Sequence, residues 1–448
     1  MKNSIRIRIN YLLFPIILVF TVFSSCKITQ QSVDTKDLSY LYNPTKNPIN
    51  PRYNIINQSD ESSTLSVRFS TNDLYFSEAN PQGVPTSMIL VTVKLFNISQ
   101  GILLTDTIVY NLNIRKQVGK QEYIYYIPLK VNKGTEYMTE IKILDKIRLS
   151  VSQAFVPFNT LNDYNRYNFK VLSHFGKNEV FNPVLRANEY VNLVYSKLPI
   201  DSLYITIYKP FQGVPNPPYV LLPEKTLDYE PEKVIAINYS DTLPIMLPKE
   251  GIYLCTVGRD IKEGYTFYNM GTSYPAVTSP ELMIEPLAYI ASQDEISELR
   301  SAIKPKVALD DFWIKCGGNV DKARELIRIY YTRVLYSNFY FTSYKEGWQS
   351  ERGMIYIIYG PPDKVYKTSE GESWGYKEPA TKSSWGSRYT VKNDYLFFNF
   401  KKRQNIFSDN DYYLSRNETL VTYWDKAILS WRRGIVFRLD NPSDIYEE

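Results

Sequence analysis

Between Tyr53 and about Ile284, apolar and polar residues alternate in short runs, and this period of two constrains the fold more than any other feature of the chain. The runs "STLSVRFS", "SMILVTVKLFNI", "DTIVYNLNI", "QEYIYYIPLKV" and "TEIKILDKIRLSVSQAF" are separated by Asn, Gly and Pro. Successive side chains of a strand point to opposite faces, so each run offers one face to a core and the other to water. Short strands at regular spacing predict an antiparallel β-sandwich, placed over residues 52–176. A second set, "YVNLVYSKL", "SLYITIYKPF", "KVIAINYS" and "GIYLCTVGRD", predicts another over 177–285. Both are expected to be Ig-like, although the Cys-Trp-Cys spacing of antibody-type domains is missing. The proline-rich stretch "KPFQGVPNPPYVLLPEK" reads as a long loop in the second one, suited to binding or to a rigid connection.

Near Ser292 the period becomes helical. Ser292 and Glu295 have capping-box spacing, with Ile296, Leu299 and Ile303 as an apolar stripe that Pro305 stops. Asn319 is placed to cap a longer helix in which Val320, Ala323, Leu326, Ile327, Tyr330 and Val334 recur, ending near Ser337. The run Met354 to Tyr359 has no polar face and predicts a strand covered on both sides. Pro361 has no N–H to donate and ends it, and Asp363 can accept backbone N–H groups in the turn beyond. The fold class expected is multidomain and mainly β, with an α+β C-terminal domain over 286–440 and an acidic tail over 441–448.

The N-terminus carries an address. Lys2, Arg6 and Arg8 precede the apolar run Tyr11 to Phe23, which Ser24-Ser25-Cys26 closes. This is the layout of a secretory signal, over residues 1–25. The apolar run is about thirteen residues, short of the roughly twenty that span a bilayer. Residues 26–51 are polar, include "NPTKNPINP", and read as a flexible tether. Cysteine after two small residues resembles the lipobox of bacterial lipoproteins, with Phe23 where that family usually has leucine. The resemblance implies a diacylglyceryl group on Cys26 and a lipid-anchored protein. Lys27 follows the cysteine, not aspartate, and the expected location is the outer membrane, facing the periplasm, with surface exposure as the alternative.

Composition narrows the function. Formal net charge is +5, and it falls to about +2 once the three basic residues of the signal are removed. With no polybasic stripe left, nucleic acid is not an expected partner. The chain has one histidine, His174, in "VLSHFGKNEV", so histidine-based triads and zinc sites are disfavoured. There is no Gly-x-Ser-x-Gly elbow and no phosphate-binding loop, and no metal or cofactor is expected. Cys255 and Cys316 are expected as buried free thiols.

One stretch looks like a motif: "GWQSERGMIYIIYGPPD", residues 347–363. It resembles the bacterial GWxTD domain, named for Gly-Trp-x-Thr-Asp and continuing into Arg-Gly and Gly-x-Pro-Asp. Gly347, Trp348, Arg352, Gly353, Gly360, Pro362 and Asp363 match, while Ser350 and Glu351 stand for the Thr and Asp. The upstream "DFWIK" and "YYTRVLYSNFYF" and the downstream "ESWGYKE" are similar to the family as well, so the likeness covers roughly 286–438. It implies a secreted or lipidated protein with β-domains ahead of the motif, and no established activity.

Three functions follow as expectations. The first is a non-enzymatic envelope lipoprotein that holds a protein partner or a cell-wall polymer through its β-domains and the motif. The second is an envelope-polymer hydrolase with Glu351 and Asp363 as its carboxylate pair, tuned by Arg352 and Arg333. In the bland version of that arrangement, the acid and the arginine close element ends and Trp348 packs on a helix. The third is a glycan-binding lipoprotein using Trp374, Tyr376 and Trp385, with Tyr389 and Tyr395 nearby.

Overall fold

Two β-sandwiches precede a helix-rich module. The computed structural model describes residues 37–43, 49–77, 83–195, 197–221, 229–368, 370–378 and 394–440, with backbone alone for 381–385 and 388–392. Cys26, the signal segment and the acidic tail lie outside the described residues. The first sandwich comprises Arg52–Asn57 (β1), Ser62–Ser70 (β2), Thr86–Asn97 (β3), Leu103–Arg115 (β4), Glu122–Lys130 (β5), Glu136–Asp145 (β6) and Val151–Asn159 (β7). They form an antiparallel sheet β1-β2-β5 facing an antiparallel sheet β4-β3-β6-β7. Leu65, Val67, Val91, Val93, Ile141 and Ile143 are fully buried between them, the inward half of each alternating run.

The second sandwich is built from Phe169–Ser173 (β8), Val191–Tyr195 (β9), Ser202–Tyr208 (β10), Lys233–Asn238 (β11), Pro244–Ile245 (β12), Gly251–Thr256 (β13) and Tyr265–Asn269 (β14). The sheets are β11-β10-β13-β14 and β12-β9-β8. Phe169 and Val171 of β8 sit in this second core, so the junction falls at the turn Arg166–Asn168 and not at residue 176. Strand β13 is buried along its whole length. Its Tyr253 and Cys255 face the sandwich core, whereas Ile252 and Leu254 join Tyr344 and Phe407 of the C-terminal module.

That module holds Pro280–Ile284 (α1), Gln293–Ser301 (α2), Pro305–Gly317 (α3), Val320–Phe341 (α4), Glu351–Tyr359 (α5) and Val421–Arg432 (α6). Its sheet orders Lys364–Lys367 (β15), Gly371–Lys377 (β16), Tyr395–Lys402 (β19) and Tyr412–Leu414 (β20) antiparallel, with the hairpin Thr381–Trp385 (β17) and Arg388–Lys392 (β18) apart. The chain is thus mainly β with an α+β C-terminal part.

Several expectations change. The capping box of Ser292 and Glu295 is present, but α2 ends at Ser301, Ile303 is 98% exposed, and Pro305 opens α3 instead of merely stopping a helix. Proline fits there because the first-turn N–H groups of a helix have no internal partner. Helix α4 runs past Ser337 to Phe341, and Ser337 is fully buried with its hydroxyl on the Arg333 carbonyl, 2.8 Å away. The run Met354 to Tyr359 is the end of α5, not a strand. A short apolar run buried all round has the same periodicity in either state, and the deciding signals flank it: Ser350 caps the Gly353 N–H and Gly360 ends the helix at φ 84°. Finally, the tether expected over 26–51 is partly structured: residues Ser39–Tyr42 form a 3-10 turn docked on the module, with Leu38 and Tyr42 in its core. The N–H of Leu38 donates to the Val365 carbonyl on the edge of β15.

Candidate functional site

Residues 347–363 form the packing centre of the module. Gly347 opens a 3-10 turn, Gly347–Gln349, that lies against the end of α4. A Cβ on Gly347 would sit 1.8 Å from the Ser337 carbonyl oxygen, and one on Gly353 would sit 2.0 Å from that of Gly347. Glycine is therefore required twice so that α4, the turn and the start of α5 can touch backbone to backbone. The N–H groups of Gly347 and Trp348 donate to Thr342 Oγ1 and Asn338 Oδ1, both at 3.0 Å. Trp348 is buried edge-on to Tyr289, whose hydroxyl donates to the Trp348 carbonyl at 2.6 Å. Its indole N–H favours the charged form of the Glu346 carboxyl.

The hydroxyl and carboxylate positions of the motif have separate tasks. Ser350 Oγ donates to the Gly347 carbonyl at 2.6 Å and accepts from the Gly353 N–H at 2.9 Å, capping α5. Glu351 takes both contacts from Arg416 Nη2, at 2.8 and 2.7 Å. Arg416 Nη1 donates to the carbonyls of Asn216 and Pro217, at 2.7 and 2.6 Å, in the proline-rich loop of the second sandwich. Burial raises the Glu351 pKa and Arg416 opposes that rise. Arg352 is 2% exposed, 3.1 Å from Glu372 and stacked 3.8 Å from the Tyr412 ring centroid. Glu372 also accepts from Tyr42 at 2.8 Å, Lys367 at 2.9 Å and the Trp374 indole at 2.9 Å. Burial alone would raise its pKa, but Lys367 and Arg352 outweigh it and hold the carboxyl at about 2.

At the far end, Arg333 Nη1 donates to the last carbonyls of α5, those of Ile357 and Ile358, at 2.8 and 3.0 Å. Its guanidinium lies 5.2 Å from the Trp431 ring centroid and fills the space beside Gly360, where a Cβ would sit 2.9 Å from Arg333 Nη2. Pro362 is buried, whereas Asp363 is exposed and accepts from the Lys377 N–H at 2.8 Å.

The proposed carboxylate pair is not assembled. Glu351 begins α5 and Asp363 lies beyond its end, and nine helical residues span about 13 Å. Each acid has its own structural partner. The aromatic surface is not assembled either: Trp374 and Tyr376 are buried, 0% and 3% exposed, Trp374 packing on Tyr42, Phe341 and Phe400 and Tyr376 donating to the Gly360 carbonyl at 2.8 Å. The side chains of Trp385 and Tyr389 lie outside the described residues. Tyr395 is half-buried beside Phe397. His174 Nδ1 faces Asn192 Oδ1 at 3.2 Å, away from any carboxylate pair. Cys255 and Cys316 are both free and buried, and burial pushes the Cys255 thiol up to about 12. Among the described residues no cluster of His, Cys, Asp and Glu is fit to hold a metal, and no helix is long and apolar enough to cross a membrane.

Sequence reasoning missed Glu372, Lys367, Tyr42 and Arg416, which complete the centre. Glu372 was open to detection, as a carboxylate on the same face of its strand as Trp374 and Tyr376. Arg416 and Tyr42 carry no local signal, since their partners are distant in sequence.

Residues 251–433 match the family model of the GWxTD domain. The match begins at Gly251, earlier than the sequence likeness at residue 286, and so takes in β13 and β14. The packing is in keeping with this: the outer side of β13 packs on Tyr344 and Phe407 of the module. No curated protein matches the chain.

Proposed function

We propose that this chain, which carries a GWxTD domain in its C-terminal part, is a lipid-anchored envelope lipoprotein that works as a non-enzymatic scaffold. In this reading Cys26 bears the lipid, the outer membrane holds it, and the β-domains and module present one composite surface to an envelope protein. The observation that carries the reading is the wiring of the motif. Glu351 reaches the second sandwich through Arg416, Arg352 reaches the docked N-terminal segment through Glu372 and Tyr42, and the glycines lock α4 to α5. A motif whose charged side chains are spent on neighbouring parts suits fixing geometry better than turning over a substrate. The motif then acts as the keystone of the surface and not as the contact itself.

The test compares wild-type protein with Cys26→Ala and with the Glu351→Ala, Arg416→Ala double variant, each checked for folding, by fractionation and by mild crosslinking with affinity purification. Cys26→Ala is expected to leave the membrane fraction, and the double variant to lose envelope proteins that the wild type captures. Product release from envelope polymers by purified wild type, abolished in Glu351→Gln, would overturn the reading.

A further inference from the structure

A cleft of about 1400 Å³ opens where the two sandwiches and the C-terminal module meet. That is larger than the roughly 300–1,000 Å³ of ordinary small-molecule sites and suits a stretch of polymer. Residues 52–56 of β1 form one wall. Strand β1 is the edge of its sheet, paired with β2 on one side. Among the described residues no other backbone group bonds to its backbone; residues 55–57 are buried beside the turn Arg166–Asn168 and β8, so the N–H and C=O groups of its outer edge are open to a further strand at residues 52–54.

Charge gives the second observation. Arg52 stands directly opposite Arg68 in the β1–β2 register, an arrangement in which like charges repel. Arg68 is answered by Glu122 at 3.0 Å and lies over the Phe181 ring, 5.2 Å from its centroid. The side chains of Arg52, Arg186 and Lys402, which all line the cleft, make no hydrogen bond or ion pair with any described residue. The nearby carboxylates are engaged or shared: Glu179 accepts from Asn54 and Ser66 at 3.0 and 2.9 Å, Asp409 accepts from Tyr167 at 2.8 Å and faces Arg166 at 3.4 Å, Glu189 accepts from the Arg186 N–H at 3.3 Å, and Asp73 attracts Arg52 from beyond ion-pair distance while also facing Arg148 and Arg68.

We propose that this cleft binds an extended acidic peptide segment of a partner protein, added as a strand to the open edge of β1 with a carboxylate in register with Arg52. The proposal rests on the scaffold reading and names the partner's chemistry. A strand placed there continues the cross-strand row, so a carboxylate opposite Arg52 offsets the repulsion from Arg68. An anionic glycan would match the charge, but it has no ladder of N–H and C=O groups to match the edge. The peptide is therefore favoured.

The test measures fluorescence anisotropy of a labelled octapeptide of alternating Glu and Thr, titrated with the full-length chain in detergent. Comparison probes are the same peptide with alternate backbone nitrogens methylated in either phase, a Lys-Thr octapeptide, and oligogalacturonate. Saturable binding is expected for the Glu-Thr peptide and not for the Lys-Thr peptide, with at least a tenfold loss in one N-methylated phase and in Arg52→Glu. Arg52 is exposed, so its variant is expected to melt as the wild type does, and Arg259→Glu, away from the cleft, is expected to bind normally. No binding of the Glu-Thr peptide, equal binding of both methylated forms, binding indifferent to Arg52→Glu, or binding of the glycan alone would overturn the proposal. Failure here with partner capture from membranes intact would remove the cleft and leave the scaffold reading standing, whereas loss of both would remove both.

Discussion

Gly347 and Gly353 are held where a side chain would meet backbone, at 1.8 and 2.0 Å from a carbonyl oxygen, and backbone cannot swing aside as a side chain can. Alanine at position 347 has to push the turn off α4, and alanine at position 353 has to push α5 off the turn, and each substitution is expected to cost about 2–3 kcal/mol or more in denaturant unfolding. A loss within 0.5 kcal/mol would mean that the helices yield easily. Two carboxylates at the same centre, Glu346 partly and Glu372 fully buried, respond to pH in opposite directions. Glu346 is raised from its usual 4.5 to about 7 by burial, with Asn338 and Trp348 opposing and Glu250 adding to the rise. The folded state then holds more protons than the unfolded one between pH 4.5 and 7, so this residue makes stability fall as pH rises through that window, by at most about 3 kcal/mol. Glu372 lies at about 2, so its contribution is present above its unfolded value and is lost as pH falls from 4.5 toward 2. Glu346→Gln is expected to flatten the upper slope in pH-dependent thermal melts and leave the acid limb. Glu372→Gln is expected to leave Arg352 buried without its charge partner and to cost on the order of 3–5 kcal/mol at neutral pH. A Glu346→Gln profile that parallels the wild type would refute the assignment of the upper slope.

Among the elements, α5 shows where local pattern decides and where it does not. Its buried run Met354 to Tyr359 has no polar face, and strand and helix are then equally compatible with it; the choice rests on Ser350 as cap and on Gly360 at positive φ. Ser350→Ala removes the acceptor for the Gly353 N–H and is expected to cost about 1 kcal/mol. Ser350→Thr keeps the oxygen and is expected to lie within 0.5 kcal/mol of wild type; equal losses in both would show that the cap is not what sets the helix. The antiparallel sandwiches were legible where one face of a strand is wetter than the other, as in β3 and β6, and the alternation survives in the sequence. Helices α2 and α4 were legible from Ser292 and Asn319, which cap them as their positions suggest. The candidate site was legible only as a list of motif residues. Its meaning depends on partners such as Tyr42 and Arg416, 330 and 65 residues from the groups they bind. The aromatic series failed for a related reason: spacing in a strand does not say whether a second layer covers it, and in β16 helix α5 and the docked N-terminal segment do.

At the scale of the whole molecule, the segment before the first sandwich is not a spacer. Leu38 and Tyr42 are 0% and 5% exposed inside the C-terminal module, Leu38 extends the edge of β15 through its N–H, and the Tyr42 carbonyl accepts from Tyr356 at 3.0 Å. The chain therefore closes on itself: residues just ahead of β1 are clasped by elements that follow β14, and both sandwiches lie on the loop between. This reverses the order that the sequence suggests. With a lipid on Cys26, only the eleven residues to Asp37 separate the membrane from the docked segment, and extended chain covers at most about 40 Å over that length. The C-terminal module, last in sequence, would then be tied close to the bilayer, where a free tether up to residue 51 would have put the first sandwich. The same geometry makes a prediction that does not need the lipid. A chain beginning at residue 49 keeps both sandwiches whole but empties the places of Leu38 and Tyr42, and burying two such side chains is worth about 3–5 kcal/mol. Its C-terminal module is expected to melt on the order of 10 °C lower, with the melting of the first sandwich unchanged, in scanning calorimetry and hydrogen exchange of α5 and β16. Leu38→Asp in the full chain is expected to reproduce the loss. A truncated protein that melts as the full chain does would mean that the docked segment is only a tether laid on the surface.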